Sequence, residues 1–220
     1  MTLPLSKTLD PADFDQLAEE LAIVDRYFTS ARPQHPMRRW EYAMALRAMT
    51  QWLGEGPNTR QQLVDIGGDG SPFASIVGER CWHPDLIDPV MSFGRTLAQE
   101  LTHHPCLADV VTCLSVLEHV TDLDRFCYHL SCLVAPGGLL FLTMDYCDGF
   151  ALAREGFLVP DTYDLHWMRE RIFNQFTLKL LVGQFLKRDF SMFGGGLDLI
   201  WHGPQVSDYT FASLALVKRV

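Results

Sequence analysis

The sequence lacks the cysteine spacing of a disulfide framework, since its six cysteines include no C-x-x-C pair. It also lacks an apolar run long enough to cross a bilayer. Its first residues contain no basic segment followed by an apolar stretch, as a secretion signal would. We therefore expect a cytoplasmic protein with reduced thiols and no membrane partner. The eight histidines are scattered, so we predict no metal site.

Positive charge is scarce as well. Lys and Arg total 18 against 27 Asp and Glu, which gives a net charge of −9. Binding to a phosphate backbone requires clustered Lys and Arg, so we expect no nucleic-acid partner. The small basic groups that remain, Arg38-Arg39 among them, are interpreted as solvated ends of helices or strands.

The chain has the length and composition of one α/β domain with a short extension, at 220 residues with 48% apolar and 20% charged residues. Apolar residues recur at helical spacing from Phe14 to Phe28 and again from Met37 to Leu53. These two helices predict an N-terminal helical extension or cap over residues 1–58, followed by a main domain over 59–220.

Strand and helix patterns alternate from residue 62 onwards, which predicts a mostly parallel sheet covered on both faces. The predicted strands are near 62–66, 84–88, 109–114 and 138–144, and the predicted helices are near 72–79, 122–134 and 175–187. Pro136-Gly137-Gly138 predicts a tight turn into the fourth of these strands. Two last strands, near 189–200 and 208–218, are expected to form an antiparallel pair.

The stretch 62–71 (QLVDIGGDGS) is the most informative part of the chain. An apolar strand runs into three glycines, after which Ser71 and Pro72 begin a helix. This arrangement lets backbone N–H groups approach a nucleotide-like ligand without interference from Cβ atoms. Glycine turns after strands are also common where no ligand binds, so the motif alone is compatible with a ligand-binding turn and with a purely structural one.

Residues 108–120 (ADVVTCLSVLEHV), followed by 133–142 (LVAPGGLLFL), resemble the fourth strand, the helix and the fifth strand of class I S-adenosylmethionine-dependent methyltransferases of the small-molecule type. The resemblance covers roughly residues 60–220. It implies a Rossmann-like, mostly parallel, seven-stranded sheet with an antiparallel C-terminal strand, and S-adenosylmethionine as the cofactor. The stretch between Asp88 and Asp109 is too short for an ordinary helix and third strand, so we expect one abbreviated element.

The resemblance also implies which residues hold the cofactor. The acidic residue and glycines that end the first strand correspond to Asp65, Gly67, Gly68 and Gly70. Asp88 corresponds to the acid that binds the ribose hydroxyls, although it also suits a turn before Pro89. The complete predicted cofactor-binding set is Asp65, Gly67, Gly68, Asp69, Gly70, Asp88 and Ser115, with Ser115 beside the methionine part of the cofactor.

Asp69 departs from the family pattern D-x-G-x-G, because it replaces the second glycine. Its side chain either crowds the ligand or pairs with the positive charge of the cofactor. The same residue, together with Pro72, breaks the G-x-G-x-x-G pattern and argues against a nicotinamide-dependent oxidoreductase.

Three residues are predicted to carry catalysis. His119, just past the fourth strand, has the intrinsic pKa of a base near neutrality, although it also suits a helix-start histidine paired with Glu118. His166, before the last long helix, is the second candidate base. Asp145 follows the fifth strand and is expected to face the methyl acceptor.

We therefore predict methyl transfer from S-adenosylmethionine to a hydroxyl or nitrogen of a small molecule, such as a sugar or a secondary metabolite. The alternative is a non-catalytic, methyltransferase-like binding or scaffold protein, which Asp69 keeps open. The sequence leaves the oligomeric state open, a homodimer included.

Overall fold

A computed structural model describes residues 3–28, 36–54, 61–67, 72–78, 83–87, 107–120, 122–147, 173–199 and 210–220. Its elements, in chain order, are β1 (Ser6–Lys7), α1 (Asp13–Gln16), α2 (Ala18–Val24), α3 (Pro36–Leu53), β2 (Gln62–Ile66), α4 (Phe73–Gly78), β3 (His83–Ile87), β4 (Ala108–Leu114), a short 3-10 helix (Leu117–His119), α5 (Leu123–Leu133), β5 (Val134–Tyr146), α6 (Gln175–Leu186), β6 (Phe190–Met192), β7 (Leu197–Asp198) and β8 (Thr210–Lys218). None of these helices combines the length and the apolar character that a membrane span requires.

Six of the described strands form one sheet in the order β3-β2-β4-β5-β8-β6. The first four are parallel, and β8 lies antiparallel between β5 and β6. This confirms the predicted Rossmann-like α/β class and the antiparallel C-terminal pair. The abbreviated element expected between Asp88 and Asp109 falls mostly outside the described residues. Because the strand order reverses between β2 and β4, a crevice is expected at the carboxyl ends of these two strands.

Helices cover the two faces of the sheet with separate apolar clusters. On one face, α5 and α6 pack through residues such as Leu130 and Phe185. On the other face, the N-terminal helices and α4 pack through residues such as Trp40 and Phe73. The ends of α5 and α6 are set by caps, since Asp122 and Asn174 accept hydrogen bonds from backbone N–H groups of the first turn of each helix.

Two local predictions differ from the structure. The stripe from Phe14 to Phe28 forms two short helices, α1 and α2, because the backbone at Leu17 leaves the helical conformation. Strand β5 begins at Val134, directly after α5, and the predicted turn at residues 136–138 is an irregularity within the strand, where the register with β4 shifts. The carbonyl of Gly137 there accepts a hydrogen bond from Trp52 Nε1 of α3 at 3.0 Å, which gives the bulge a packing partner.

A buried ion pair holds the N-terminal residues against α3. Lys7 Nζ lies 2.5 Å from Asp13 Oδ1, and Trp40 Nε1 donates to Asp13 Oδ2 at 2.9 Å. All three side chains are almost fully buried. The same N-terminal segment bonds to β8 through Ser6, whose Oγ accepts from the backbone N of Ala215 at 2.9 Å. The first turn of α3 is thereby fixed relative to the sheet.

Lys7→Ala should lower the free energy of unfolding by about 3 kcal/mol or more, because it leaves the Asp13 carboxylate buried without its counter-charge. Urea denaturation measures the loss. The control is Arg39→Ala, which breaks an exposed ion pair between Arg39 and Asp25 and should cost less than about 1 kcal/mol. Equal losses in the two variants would contradict this account of the buried pair.

Candidate active site

The carboxyl ends of β2, β4 and β5 meet at one edge of the sheet, since these strands are parallel neighbours. Five predicted site residues lie at this edge: Asp65, Gly67, Ser115, His119 and Asp145. The others lie outside the described residues: Gly68, Asp69, Gly70, Asp88 and His166.

Gly67, at the end of β2, has a conformation that only glycine adopts easily. Its φ is +77°, and a Cβ atom built on it would lie 2.3 Å from Cγ2 of Val116. Val116 belongs to the segment that follows β4, so the two strand ends approach each other closely at the point where the strand order reverses. This close approach requires glycine at position 67.

Asp65 is the acidic residue of β2 closest to this turn. It is 2% exposed, and its Oδ1 accepts a hydrogen bond from Thr112 Oγ1 at 2.7 Å. Burial raises the pKa of Asp65 to about 7, although the hydrogen bond from Thr112 opposes the shift. A positive charge placed beside Asp65 would favour its ionised form and lower this pKa.

Ser115 begins the turn after β4 in a left-handed backbone conformation, with a φ of +50°. Few non-glycine residues adopt this conformation without support from their neighbours. The backbone N of Ser115 donates to Thr143 Oγ1 of β5 at 3.0 Å, and its Oγ donates to Glu41 Oε1 of α3 at 2.5 Å. Contacts from two different elements thus hold the turn.

Glu41 is the centre of this group of contacts. It is fully buried, and its Oε1 also accepts a hydrogen bond from Thr143 Oγ1. Its Oε2 is buried and receives no hydrogen bond from the residues described, although Arg38 Nη1 lies 3.3 Å away as an ion-pair partner. Helix α3 therefore brings two charged side chains to the carboxyl edge of the sheet.

Arg38 lies in the first turn of α3 with its side chain one-third exposed, as expected for a helix end, but it also pairs with the buried Glu41. Burial lowers the pKa of its guanidinium, but nearby groups that favour the charged form outweigh this effect and raise the pKa above its ordinary value. These groups, in decreasing order of effect, are Glu41, Tyr42, Glu118 and Asp145. The neighbouring Arg39 does lie at the surface, where it pairs with Asp25.

Sequence reasoning gave Arg38 and Thr143 no role at this edge, and it placed Glu41 only within the predicted helical cap. One signal for Glu41 was available, because residues 42–46 are apolar on every side of the helix and all are buried. A helix that is apolar all round lies in the interior, so a carboxylate within it must have buried partners.

Asp145 and His119 stand at the same edge as the Glu41 cluster. Asp145 is 2% exposed at the end of β5, where its backbone carbonyl accepts from the backbone N of Phe173. His119 closes the 3-10 helix after β4 and is partly exposed. Their chemical roles remain predictions.

A family model described as a methyltransferase domain matches residues 37–192. The chain belongs to this methyltransferase family. The match confirms the assignment of the chain to the class I enzymes, whose cofactor is S-adenosylmethionine. The comparison with curated proteins finds no match.

Solved structures share the fold of this methyltransferase. One is the 1,6-didemethyltoxoflavin-N1-methyltransferase of Burkholderia thailandensis, crystallised with bound 1,6-didemethyltoxoflavin and S-adenosylhomocysteine. It is 13% identical to this chain with a TM-score of 0.56, and the match covers 100% of this chain and 95% of that one. A methyltransferase of Mesorhizobium loti is 15% identical with a TM-score of 0.51, over 79% and 96% of the two chains. One of Clostridium acetobutylicum is 8% identical with a TM-score of 0.51, over 94% and 100%. At such low identities the similarity shows the fold alone.

The described residues fit a cofactor that carries a sulfonium and an ammonium group. Gly67 follows β2 with a φ of +77°, so the chain turns at the carboxyl edge without a Cβ atom. The Asp65 carboxyl, whose ionised form a positive charge would favour, and the Glu41 carboxylate, whose Oε2 is paired with Arg38, are the acidic groups near that edge. Both features suit a positively charged ligand at the carboxyl ends of β2 and β4.

Gly67→Ala should destabilise the methyltransferase by about 1–3 kcal/mol from the backbone conformation alone, with the contact to Val116 adding to the loss. Urea denaturation measures it. The control is Gly183→Ala in α6, where no atom lies within 4 Å of the new Cβ, and which should stabilise the protein by about 0.5–1 kcal/mol. Similar stabilities of the two variants would show that Gly67 is not required by its conformation.

Asp65→Asn should change how stability depends on pH. An unfolded Asp ionises near 3.8, whereas the buried Asp65 keeps its proton to about 7. Between these values the folded state holds one more proton than the unfolded state, so this residue makes the wild type less stable as the pH rises. Urea denaturation across this range should show the variant gaining stability relative to the wild type and levelling off above about pH 7.

Asp124→Asn is the matched control, because the Asp124 side chain is largely exposed on α5. Its difference from the wild type should stay nearly constant over the same pH range. A constant difference for Asp65→Asn as well would refute the raised pKa.

Proposed function

We propose that this methyltransferase acts on a small molecule, transferring the methyl group to an oxygen or nitrogen atom. The observation that carries the proposal is the position of α3, whose Glu41 reaches the ends of β4 and β5. A helix that packs this closely over the strand ends covers one side of the site, which suits a small acceptor better than a macromolecule. The net charge of −9 also argues against a nucleic-acid acceptor.

The small acceptor of a protein of the same fold supports this choice. The Burkholderia thailandensis enzyme is named as an N-methyltransferase and was crystallised with its own small substrate. We extend only the class of acceptor to the present chain, because the two sequences are 13% identical. The division into a cap over residues 1–58 and a cofactor-binding domain over 59–220 is part of the same proposal.

We assign the cofactor to the ends of β2, β3 and β4. In this proposal the turn of Gly67, Gly68, Asp69 and Gly70 surrounds its amino-acid part, with Asp65 beneath the turn. Asp88 binds the ribose hydroxyls, and Ser115 lies beside the methionine part.

S-adenosylmethionine, when bound, supplies an already activated methyl group, so the protein has mainly to orient the reactants and exclude water. The buried edge around Glu41 and Asp145 keeps water away from the acceptor side. An oxygen or nitrogen nucleophile also has to lose a proton. His119 is the first candidate to accept it and His166 the second, while Asp145 faces the acceptor.

Titration calorimetry with S-adenosylhomocysteine tests the cofactor site. Asp88→Ala should weaken binding by about 1–3 kcal/mol, because it removes the acceptor of two hydroxyl hydrogen bonds. Asp124→Ala, an exposed aspartate on α5, is the control and should bind like the wild type. An unchanged affinity in Asp88→Ala would remove Asp88 from the site.

An activity assay of the wild type tests the proposal as a whole. With S-adenosylmethionine and a panel of small hydroxyl and amine acceptors, it should release S-adenosylhomocysteine and form a methylated product, both detectable by mass spectrometry. A wild type that binds neither sulfur compound would overturn the proposed function and favour a scaffold role.

A further inference from the structure

Four polar groups form a closed ring of hydrogen bonds at the carboxyl edge of the sheet. The backbone N of Ser115 donates to Thr143 Oγ1 at 3.0 Å, and Thr143 Oγ1 donates to Glu41 Oε1. The hydroxyl of Ser115 donates to the same Oε1 at 2.5 Å. One carboxylate oxygen therefore holds Ser115 twice, through its side chain directly and through its backbone by way of Thr143.

This ring accounts for the unusual backbone of Ser115. A serine with a φ of +50° is at a conformation that costs energy unless its surroundings hold it there. The hydrogen bonds from Ser115 to Thr143 and Glu41 provide such a constraint, and bonds to an ionised carboxylate are stronger than neutral ones. Ser115, Thr143 and Glu41 are all buried, so water does not compete for the hydrogen-bonding groups of the ring.

The ring also fixes the direction of the Ser115 hydroxyl. An ionised carboxylate only accepts hydrogen bonds, so the hydroxyl proton of Ser115 points to Glu41. The lone pairs of Ser115 Oγ are then left to accept a hydrogen bond from another donor. The ring thereby makes Ser115 an acceptor towards any ligand beside it.

We propose that Glu41 is a positioning residue of the methyltransferase site, which acts through Ser115 to shape and orient the binding edge at the end of β4. The inference rests on the proposed function, in which Ser115 lies beside the methionine part of the cofactor. Val116, the next residue, packs directly on Gly67, so the Ser115 turn also sets how closely the ends of β2 and β4 approach each other. An N-terminal helix thus controls the geometry of a site formed by the sheet.

Calorimetry with S-adenosylhomocysteine tests this role in Glu41→Gln, Ser115→Ala and the double variant. A glutamine keeps the size of the side chain, but its amide group both donates and accepts, so it no longer fixes the hydroxyl direction. Each single variant should weaken binding about tenfold. The double variant should bind S-adenosylhomocysteine no more weakly than the weaker-binding single variant, because both changes act on the same hydrogen bond between Ser115 Oγ and Glu41.

Glu20→Gln is the matched control. Glu20 is also a nearly buried carboxylate of the N-terminal helices, and it is paired with Arg47 at 2.6 Å rather than with a strand end. This variant should lose stability in urea denaturation and keep the wild-type affinity for S-adenosylhomocysteine. A merely structural role of Glu41 would make the two glutamate variants alike in binding.

The outcomes separate the inference from the proposed function. Wild-type affinity in both Glu41→Gln and Ser115→Ala, or additive losses in the double variant, overturns the role of Glu41 and leaves the enzyme assignment intact. Absence of binding by the wild type overturns the proposed function itself. If Glu41→Gln does not fold, Ser115→Ala combined with Thr143→Val decides instead, since together they remove both links between Glu41 and the turn, and wild-type affinity in that variant refutes the inference.

Discussion

The carboxylate of Glu41 is the point at which three elements of the molecule meet. Glu41 belongs to α3, and its Oε1 accepts hydrogen bonds from the hydroxyl of Ser115 after β4 and from the hydroxyl of Thr143 on β5. A buried charge of this kind is costly unless it is fully engaged, so the carboxylate ties the helix to both strand ends. A displacement of α3 would therefore also displace the turn at the end of β4.

The placement of α3 in turn depends on residues distant from the site. Trp40, the neighbour of Glu41, donates to Asp13, and Asp13 is paired with Lys7 beside the strand pairing of β1. Buried polar contacts thus fix α3 at two adjacent residues, through Trp40 to the N-terminal segment and through Glu41 to the carboxyl edge of the sheet. Trp40 and Met44 belong to the apolar cluster between α3 and the sheet, which excludes water from these contacts.

The sequence predicted the parts of the fold that have a local signal. Strand β2 was predicted at its observed bounds, because an apolar run ends abruptly in glycine, and the antiparallel pair of β6 and β8 was predicted from two adjacent strand patterns. Strand β1 has only two residues, too few for any periodicity, and its partner β7 is equally short. The Glu41 contacts join residues 74 and 102 positions apart, which depend on how α3 packs and carry no local pattern.

The location of β8 between β5 and β6 has a consequence for the order of folding. Ser6 bonds to Ala215 across 209 positions of the chain, and β8 also supplies the antiparallel partner of β5. The sheet cannot close around β5 while the ribosome is still making residues 210–218. Until then, the edge of β5 and the apolar face under the first helices stay unpaired, so nascent chains of this protein expose surfaces that chaperones bind. Because the pairing joins residues so distant in the chain, we also expect the sheet to assemble slowly and late in folding.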